Sequence, residues 1–225
     1  STLMRSSAAS DVYKRQLIML QPDLGTGTII FMSIISILFI AGASMKFFMF
    51  GGILGVIGVI ILIIIAPYRI DRITAFIDPW KDELGTGFQI IQSLYAIGPG
   101  GLLGTGYLNS VQKHFYLPEP QTDFIFSIIC EEFGVMGAVI VVLLFSILFY
   151  RGVSIAVKSK DLFSKYLAFG VLFQILFQAI MNLCVVVGII PVTGVTLPFL
   201  SYGGSSLLIS MASVGILLSI YRFNN

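Results

Sequence analysis

Five long apolar runs, at positions 27–44, 47–66, 124–150, 166–190 and 203–221, alternate with polar stretches along the chain. Each is close to or above the ~20 residues a helix needs to cross a bilayer. A sixth run, 88–103, is weaker: Gln89, Gln92 and several glycines dilute it, and Pro99 interrupts it. Hydropathy alone does not make it a span. The pattern predicts an all-α fold, a polytopic transmembrane helical bundle, with no internal repeat and no Ser-, Pro- or Gly-rich linker that would divide it.

Charge bears on the sixth run through the positive-inside rule. If the chain starts inside and this run crosses, Arg69, Arg72, Lys81, Arg151, Lys158, Lys160, Lys165 and Arg222 are cytoplasmic. Only Lys46 and Lys113 are then outside. If the chain starts inside and the run does not cross, Lys46, Arg151, Lys158, Lys160, Lys165 and Arg222 all fall outside. The rule favours the first arrangement: six spans, a cytoplasmic C-terminus, and 104–122 on the outer face. A broken helix followed by irregular backbone is tolerated at membrane depth only where protein buries it or it lines a wet cavity. That directs attention to 88–123.

Composition agrees with the pattern. Of 225 residues, 57% are hydrophobic and 11% charged, against ~25% charged in a soluble domain. A soluble globular domain is excluded. Cys130 and Cys184 both lie inside apolar runs and suggest neither a disulfide framework nor a metal cluster. Residues 1–16 (STLMRSSAASDVYKRQ) differ from the rest. They are polar, lack the apolar core of a signal peptide, and read as adapter-like sequence or else as a native cytoplasmic loop. The membrane domain is read over 17–225.

Four polar clusters carry the candidate chemistry. Gln21-Pro22-Asp23 opens the first span; Asp23 suits a helix N-terminus, or it pairs with a cation elsewhere. Pro67 to Arg72, running on to Asp78-Pro79-Trp80-Lys81-Asp82, reads as a mixed-charge cytoplasmic anchor. The third runs from Asn109 to Asp123 and includes Lys113, His114 and Glu119, with Glu131 and Glu132 further into the following helix. Asp123 stands where an N-cap is expected. Glu131 and Glu132 lie ~12–14 Å along a helix from it, and ionisable groups at that depth face a cavity or a partner. His114, the single histidine, has no second His or Cys nearby and is a poor metal ligand. The fourth runs from Pro191 to Ser206. Gly203 and Gly204 allow close backbone approach, Ser205 and Ser206 can cap the last span, and a helix N-terminus also suits a phosphate. Gln174, Gln178 and Asn182 recur every four residues and form one polar stripe toward the bundle interior.

The segments QPDLGT, PYRIDRITAFIDPW, GFQIIQSLYAIG, NSVQKHFYLPEPQTDFIF, EEFG and TGVTLPFLSYGGSS together resemble the SEDS family of FtsW, RodA and SpoVE, and the FtsW/SpoVE branch more than the RodA branch. The order of the motifs matches along 17–225. Family members have about ten spans, so the resemblance implies that this chain corresponds to the last six.

The resemblance further implies a peptidoglycan glycosyltransferase in the bacterial cytoplasmic membrane, polymerising lipid II in division or sporulation. It implies pairing with a class B penicillin-binding protein and other divisome proteins, and no nucleic acid. The family's proposed catalytic aspartate lies in the TDF motif, here Asp123. A general base must take the proton of the acceptor's 4-hydroxyl, and the leaving polyprenyl diphosphate needs cations or a metal such as Mg²⁺ or Mn²⁺. Asp123 is the expected base. Lys113, Glu119, Ser201, Gly203, Gly204 and Ser205 are the expected substrate contacts, with Asp23, Glu131 and Glu132 as structural polar groups. A lipid flippase or a division scaffold are the rival expectations.

Overall fold

The computed structural model describes residues 24–65, 67–118 and 120–224. The expectations for residues 1–16, Asp23 and Glu119 fall outside the described residues. Among the described residues, eight α-helices follow in order: α1 (Leu24–Ile40), α2 (Met45–Ile65), α3 (Pro67–Ile77), α4 (Phe88–Ile97), α5 (Val111–Phe115), α6 (Ile125–Lys158), α7 (Leu162–Val186) and α8 (Gly204–Asn224). Single 3₁₀ turns at Pro79–Asp82 and Gly98–Gly100 precede and follow α4. The all-helical membrane fold is as the apolar pattern predicts. The helices α6, α7 and α8 are long and apolar enough to cross a membrane, and α1 and α2 are apolar along their length.

α1 and α2 form a tight hairpin. Gly42 takes φ +84, and the amides of Gly42 and Ala43 donate to the Phe39 and Leu38 carbonyls, 3.1 Å each. This αL ending satisfies the last carbonyls of α1. Phe31 then lies against Gly55 of the returning helix, and Ile37 against Gly170 of α7. Gly170 is eight residues into α7, so the 41–44 turn lies at the end where α7 begins. At that same end the Asn224 carboxamide of α8 accepts from the Lys160 amide at 3.1 Å. Ala156, Ala168, Leu217 and Ile220 form a core cluster there.

The weak sixth run forms a helix too short to cross a bilayer on its own. α4 has ten residues, which is ~15 Å of helix against a ~30 Å hydrocarbon core. Its partners explain why it stops short. Ser93 is fully buried and bonds Ser127 near the start of α6 and the Val186 carbonyl at the end of α7. α4 therefore dips in from that end of the bundle and turns back. The segment read as a cytoplasmic anchor also lies at that end, because Arg72 of α3 donates to the Val192 carbonyl at 3.0 Å. Among the described residues, three helices are thus long and apolar enough to cross a membrane and α1 and α2 are apolar beside them, with 67–118, 120–123 and 187–203 together at one end. The six-span expectation assumed that the chain starts inside. With the opposite start, Lys46, Arg151, Lys158, Lys160, Lys165 and Arg222 gather at the other end, and the charge asymmetry is satisfied without a sixth span.

The interrupted membrane helix is α6. Gly134 takes φ +62, ψ −157 in its interior, a conformation open essentially to glycine. The break leaves carbonyls without donors above it and amides without acceptors below it. The glycine-rich segment 98–106 fills both needs. Thr105 and Gly106 amides donate to the Glu131 and Glu132 carbonyls at 2.8 and 3.1 Å. Val135 and Met136 amides donate to the Gly101 and Leu102 carbonyls at 2.9 and 3.3 Å. Irregular backbone is stable at this depth because two interrupted elements complete each other.

Candidate active site

The polar stripe of α7 organises the loop end. Asn182 is fully buried, and its amide donates to the carbonyls of Asp123 and Val195, 2.7 Å each. Gln178, one turn earlier, donates to the Thr196 carbonyl at 3.0 Å. The third member, Gln174, is exposed. Two amides on one helix face therefore hold the 191–203 loop against the start of α6.

Asp123 is not the N-cap of α6; Phe124 occupies that position and no side chain caps it. The Asp123 side chain is half-buried. Its Oδ2 lies 3.7 Å from where a Cβ of Gly194 would be, and Gly194 itself has φ +73. The loop glycine leaves open space beside the carboxylate. Neighbouring Thr193 has a buried hydroxyl with no partner among the described residues.

Two cavities are lined by residues near Asp123 in sequence, and Asp123 itself lines neither. The first, about 620 Å³, is lined by Lys113, Gln121, Tyr202, Gly203, Gly204 and Ser201 among others. Its walls are fixed by backbone ties: the Tyr202 amide donates to the Gln121 carbonyl at 2.8 Å, and Ser201 donates to the Thr122 carbonyl. Ser201 also accepts from the Leu197 amide at 2.7 Å, so its hydroxyl positions the wall. The N-terminus of α8 opens onto this cavity, and its free amides with the Lys113 ammonium make an anion-friendly corner. Ser205 is exposed in the first turn of α8, and Ser206 bonds Thr196 at 3.2 Å. Leu200 is shared with an apolar groove of about 240 Å³ bounded by Val141, Leu144, Leu148 and Phe199. A polar head and an apolar tail thus have adjoining places.

The second cavity, about 450 Å³, is lined by Arg72, Thr86, Gln89, Pro118 and Val192 among others. Thr86 is held by the Asp82 carboxylate, which accepts from its amide at 2.8 Å and its hydroxyl at 3.1 Å. Those bonds lower the Asp82 pKa from its ordinary value.

The two deep glutamates have separate surroundings. Glu131 accepts from Ser110 Oγ at 2.6 Å and from the Val111 amide at 2.9 Å. It anchors the first turn of α5 and so positions Lys113, whose amide donates to Ser110 Oγ at 3.0 Å. Glu132 is also buried, and its Oε1 has no hydrogen-bond partner among the described residues. No group of three His, Cys, Asp or Glu suited to a metal occurs among the described residues.

Of the residues that sequence reasoning brought out, Lys113 and the 201–204 turn line one cavity, and Asp123 follows Thr122, whose carbonyl accepts from Ser201, without lining that cavity itself. Sequence reasoning missed Arg72, Thr86 and Gly194 as neighbours of the site. A topology starting from the opposite side would have moved the first two to this end.

Comparison with known proteins accords with this geometry. A family profile covering FtsW, RodA and SpoVE, described as cell cycle protein, matches residues 8–225. Stage V sporulation protein E of Bacillus subtilis (strain 168) is 54% identical over 208 residues, covering 92% of this chain and 57% of that protein. A probable peptidoglycan glycosyltransferase FtsW of Thioalkalivibrio sp. (strain K90mix) is 45% identical over 209 residues, covering 92% of this chain and 52% of that one. The chain spans about half the length of the curated relatives it matches. A solved structure described as coordinating polymerization and crosslinking in a peptidoglycan synthase complex superposes with TM-score 0.71 at 34% identity, over 93% of this chain and 58% of that chain.

Proposed function

The chain belongs to the FtsW/RodA/SpoVE family, and from that premise we propose that it carries the catalytic half of a lipid II polymerase. The observation that carries the reading is the join at Asp123. The half-buried Asp123 lies in sequence between Gln121 and Ile125, which line a cavity with a cation and a helix N-terminus, and that cavity shares Leu200 with an apolar groove.

In this reading Asp123 accepts the proton of the acceptor sugar's 4-hydroxyl. The oxygen bonds to the donor's anomeric carbon, and the bond from that carbon to the diphosphate oxygen breaks. Polyprenyl diphosphate leaves with the electron pair. Lys113 and the amides at the start of α8 stabilise its negative charge, while the polyprenyl chain rests along the Leu200 groove. A divalent ion, where one takes part, would be held mainly by the diphosphate oxygens and would supply positive charge to the leaving group, leaving Asp123 free to act as the base. The loop end faces outward, and the end with six basic residues faces the cytoplasm. A class B penicillin-binding protein is the proposed partner, supported by the crosslinking complex that this fold resembles, within a division or sporulation assembly.

A flippase would need a polar path through the bundle. The break in α6 is the natural place for one, but the backbone of 98–106 fills it. The test uses a full-length family member in which this chain replaces the matching segment. It is expected to make polymer from lipid II supplied in its own leaflet. Asp123→Asn should reduce that by at least ~100-fold, in line with removal of a general base, at unchanged protein level. Full activity in this variant would remove Asp123 from the mechanism.

A further inference from the structure

We propose that Tyr202 and Gln121 are the sugar platform of the Lys113 cavity: the Tyr202 ring stacks on the N-acetylated sugar that is bonded to the lipid diphosphate, and the Gln121 carboxamide reads the polar edge of that sugar. The proposal rests on the polymerase reading above and deepens it by naming what holds the sugar.

The backbone that carries Tyr202 is held in place at a cost. Phe199 takes φ +66, a conformation disfavoured for a bulky residue. The turn keeps it because the Leu200 and Ser201 amides both donate to the Leu197 carbonyl, at 3.3 and 3.0 Å. Ser201 Oγ adds two bonds, from the Leu197 amide and to the Thr122 carbonyl. The Tyr202 amide then donates to the Gln121 carbonyl at 2.8 Å. Strained backbone that its surroundings over-determine gathers at ligand sites.

What this turn presents is a ring without a partner. Tyr202 is 76% exposed and lines the cavity with Lys113 and Gln121. Among the described residues its ring meets no other aromatic side chain, and its hydroxyl has no hydrogen-bond partner. The Gln121 side chain is exposed and likewise makes no hydrogen bond to a described residue.

The cavity, about 620 Å³, is in the range of sites that take a whole small ligand. Lys113 and the start of α8 account only for its anionic group. In a lipid-linked sugar the diphosphate is bonded to the anomeric carbon, so a site for the diphosphate has the first sugar ring beside it. Such a ring has a face of C–H groups and a rim of hydroxyl and amide groups. The C–H face suits the negative face of an aromatic ring, and a carboxamide offers the rim both donors and an acceptor. A tyrosine gives this contact area at small cost in conformational freedom. Both partners in the polymerisation carry the same lipid diphosphate, so the platform concerns the sugar next to it and needs no difference between them.

The experiment separates sugar from diphosphate. Two ligands compete with a polyprenyl diphosphate labelled at its lipid end, on the full-length chimera. One is unlabelled polyprenyl diphosphate, which has no sugar. The other is lipid II blocked at its 4-hydroxyl, which cannot act as acceptor and so does not polymerise. Tyr202→Leu keeps an apolar side chain and removes the ring. It should weaken the blocked lipid II at least ~10-fold and leave polyprenyl diphosphate within about twofold. Tyr202→Phe and Tyr202→Trp, which keep a ring, should stay within about threefold for both. Lys113→Ala should weaken both ligands alike. Tyr202→Leu acting equally on the two ligands, or on neither, overturns the assignment; an equal loss is what a tyrosine that only anchors the turn at the membrane interface would give. Asp123→Asn is assayed for polymer alongside. Full activity there removes the polymerase reading, whereas its loss together with equal effects of Tyr202→Leu overturns the platform alone.

Discussion

At the scale of single residues, the site depends on groups that do no chemistry. Asn182 contributes two hydrogen bonds, and both end on backbone carbonyls, of Asp123 and Val195. Asn182→Leu keeps the volume and removes both donors. Leaving two buried carbonyls unpaired costs about 2–4 kcal/mol in total. The variant is therefore expected to melt earlier in detergent, and its kcat should fall further than its protein level. An unchanged melting temperature would mean that the loop is held by something other than the α7 stripe. Glu131 shows the same indirection. From the sequence it is a carboxylate too deep to be idle; in the structure it fastens α5 and thereby sets the position of Lys113.

Among the elements, the joint between α6 and 98–106 decides whether the loop end has a fixed shape. Gly134 and Gly104 face each other across it with φ +62 and +80. A Cβ on Gly134 would overlap the Leu102 carbonyl and the Gly104 amide. Gly134→Ala meets both a disfavoured conformation and a collision, which together cost several kcal/mol, ~3 or more. Lowered accumulation is expected, with faster hydrogen exchange at the Val135 and Met136 amides, which would lose their acceptors on 98–106. Exchange unchanged at those two positions would contradict the joint. This element was half legible. Pro99 and the glycines of 98–106 marked irregular backbone, and the unbroken apolar run of 124–150 hid its counterpart. A helix break whose polar groups are completed by another segment needs no polar side chain, so hydropathy carries no trace of it.

For the whole molecule, the five apolar runs gave five apolar helices among the described residues, three of them long enough to cross a membrane. What periodicity could not supply was the side from which the chain starts. The positive-inside rule ranks arrangements, and with the chain starting inside, the six basic residues from Lys46 to Arg222 forced a sixth crossing on a ten-residue helix. Reversing the start keeps those six on one side and moves Arg69, Arg72, Lys81 and Lys113 into the loop of 66–123, so that six basic residues face four. The two arrangements differ in where Lys81 lies. Lys81, Tyr202 and Lys160 are all exposed, so each can be replaced by cysteine in the full-length chimera and probed with a membrane-impermeant maleimide on intact cells. Lys81→Cys and Tyr202→Cys are expected to label from outside, and Lys160→Cys only after permeabilisation. Labelling of Lys81→Cys only after permeabilisation would restore the six-span arrangement. It would also carry Arg72 away from the Val192 carbonyl that it bonds at 3.0 Å, so the topology of the molecule and the packing of its loop end stand on the same measurement.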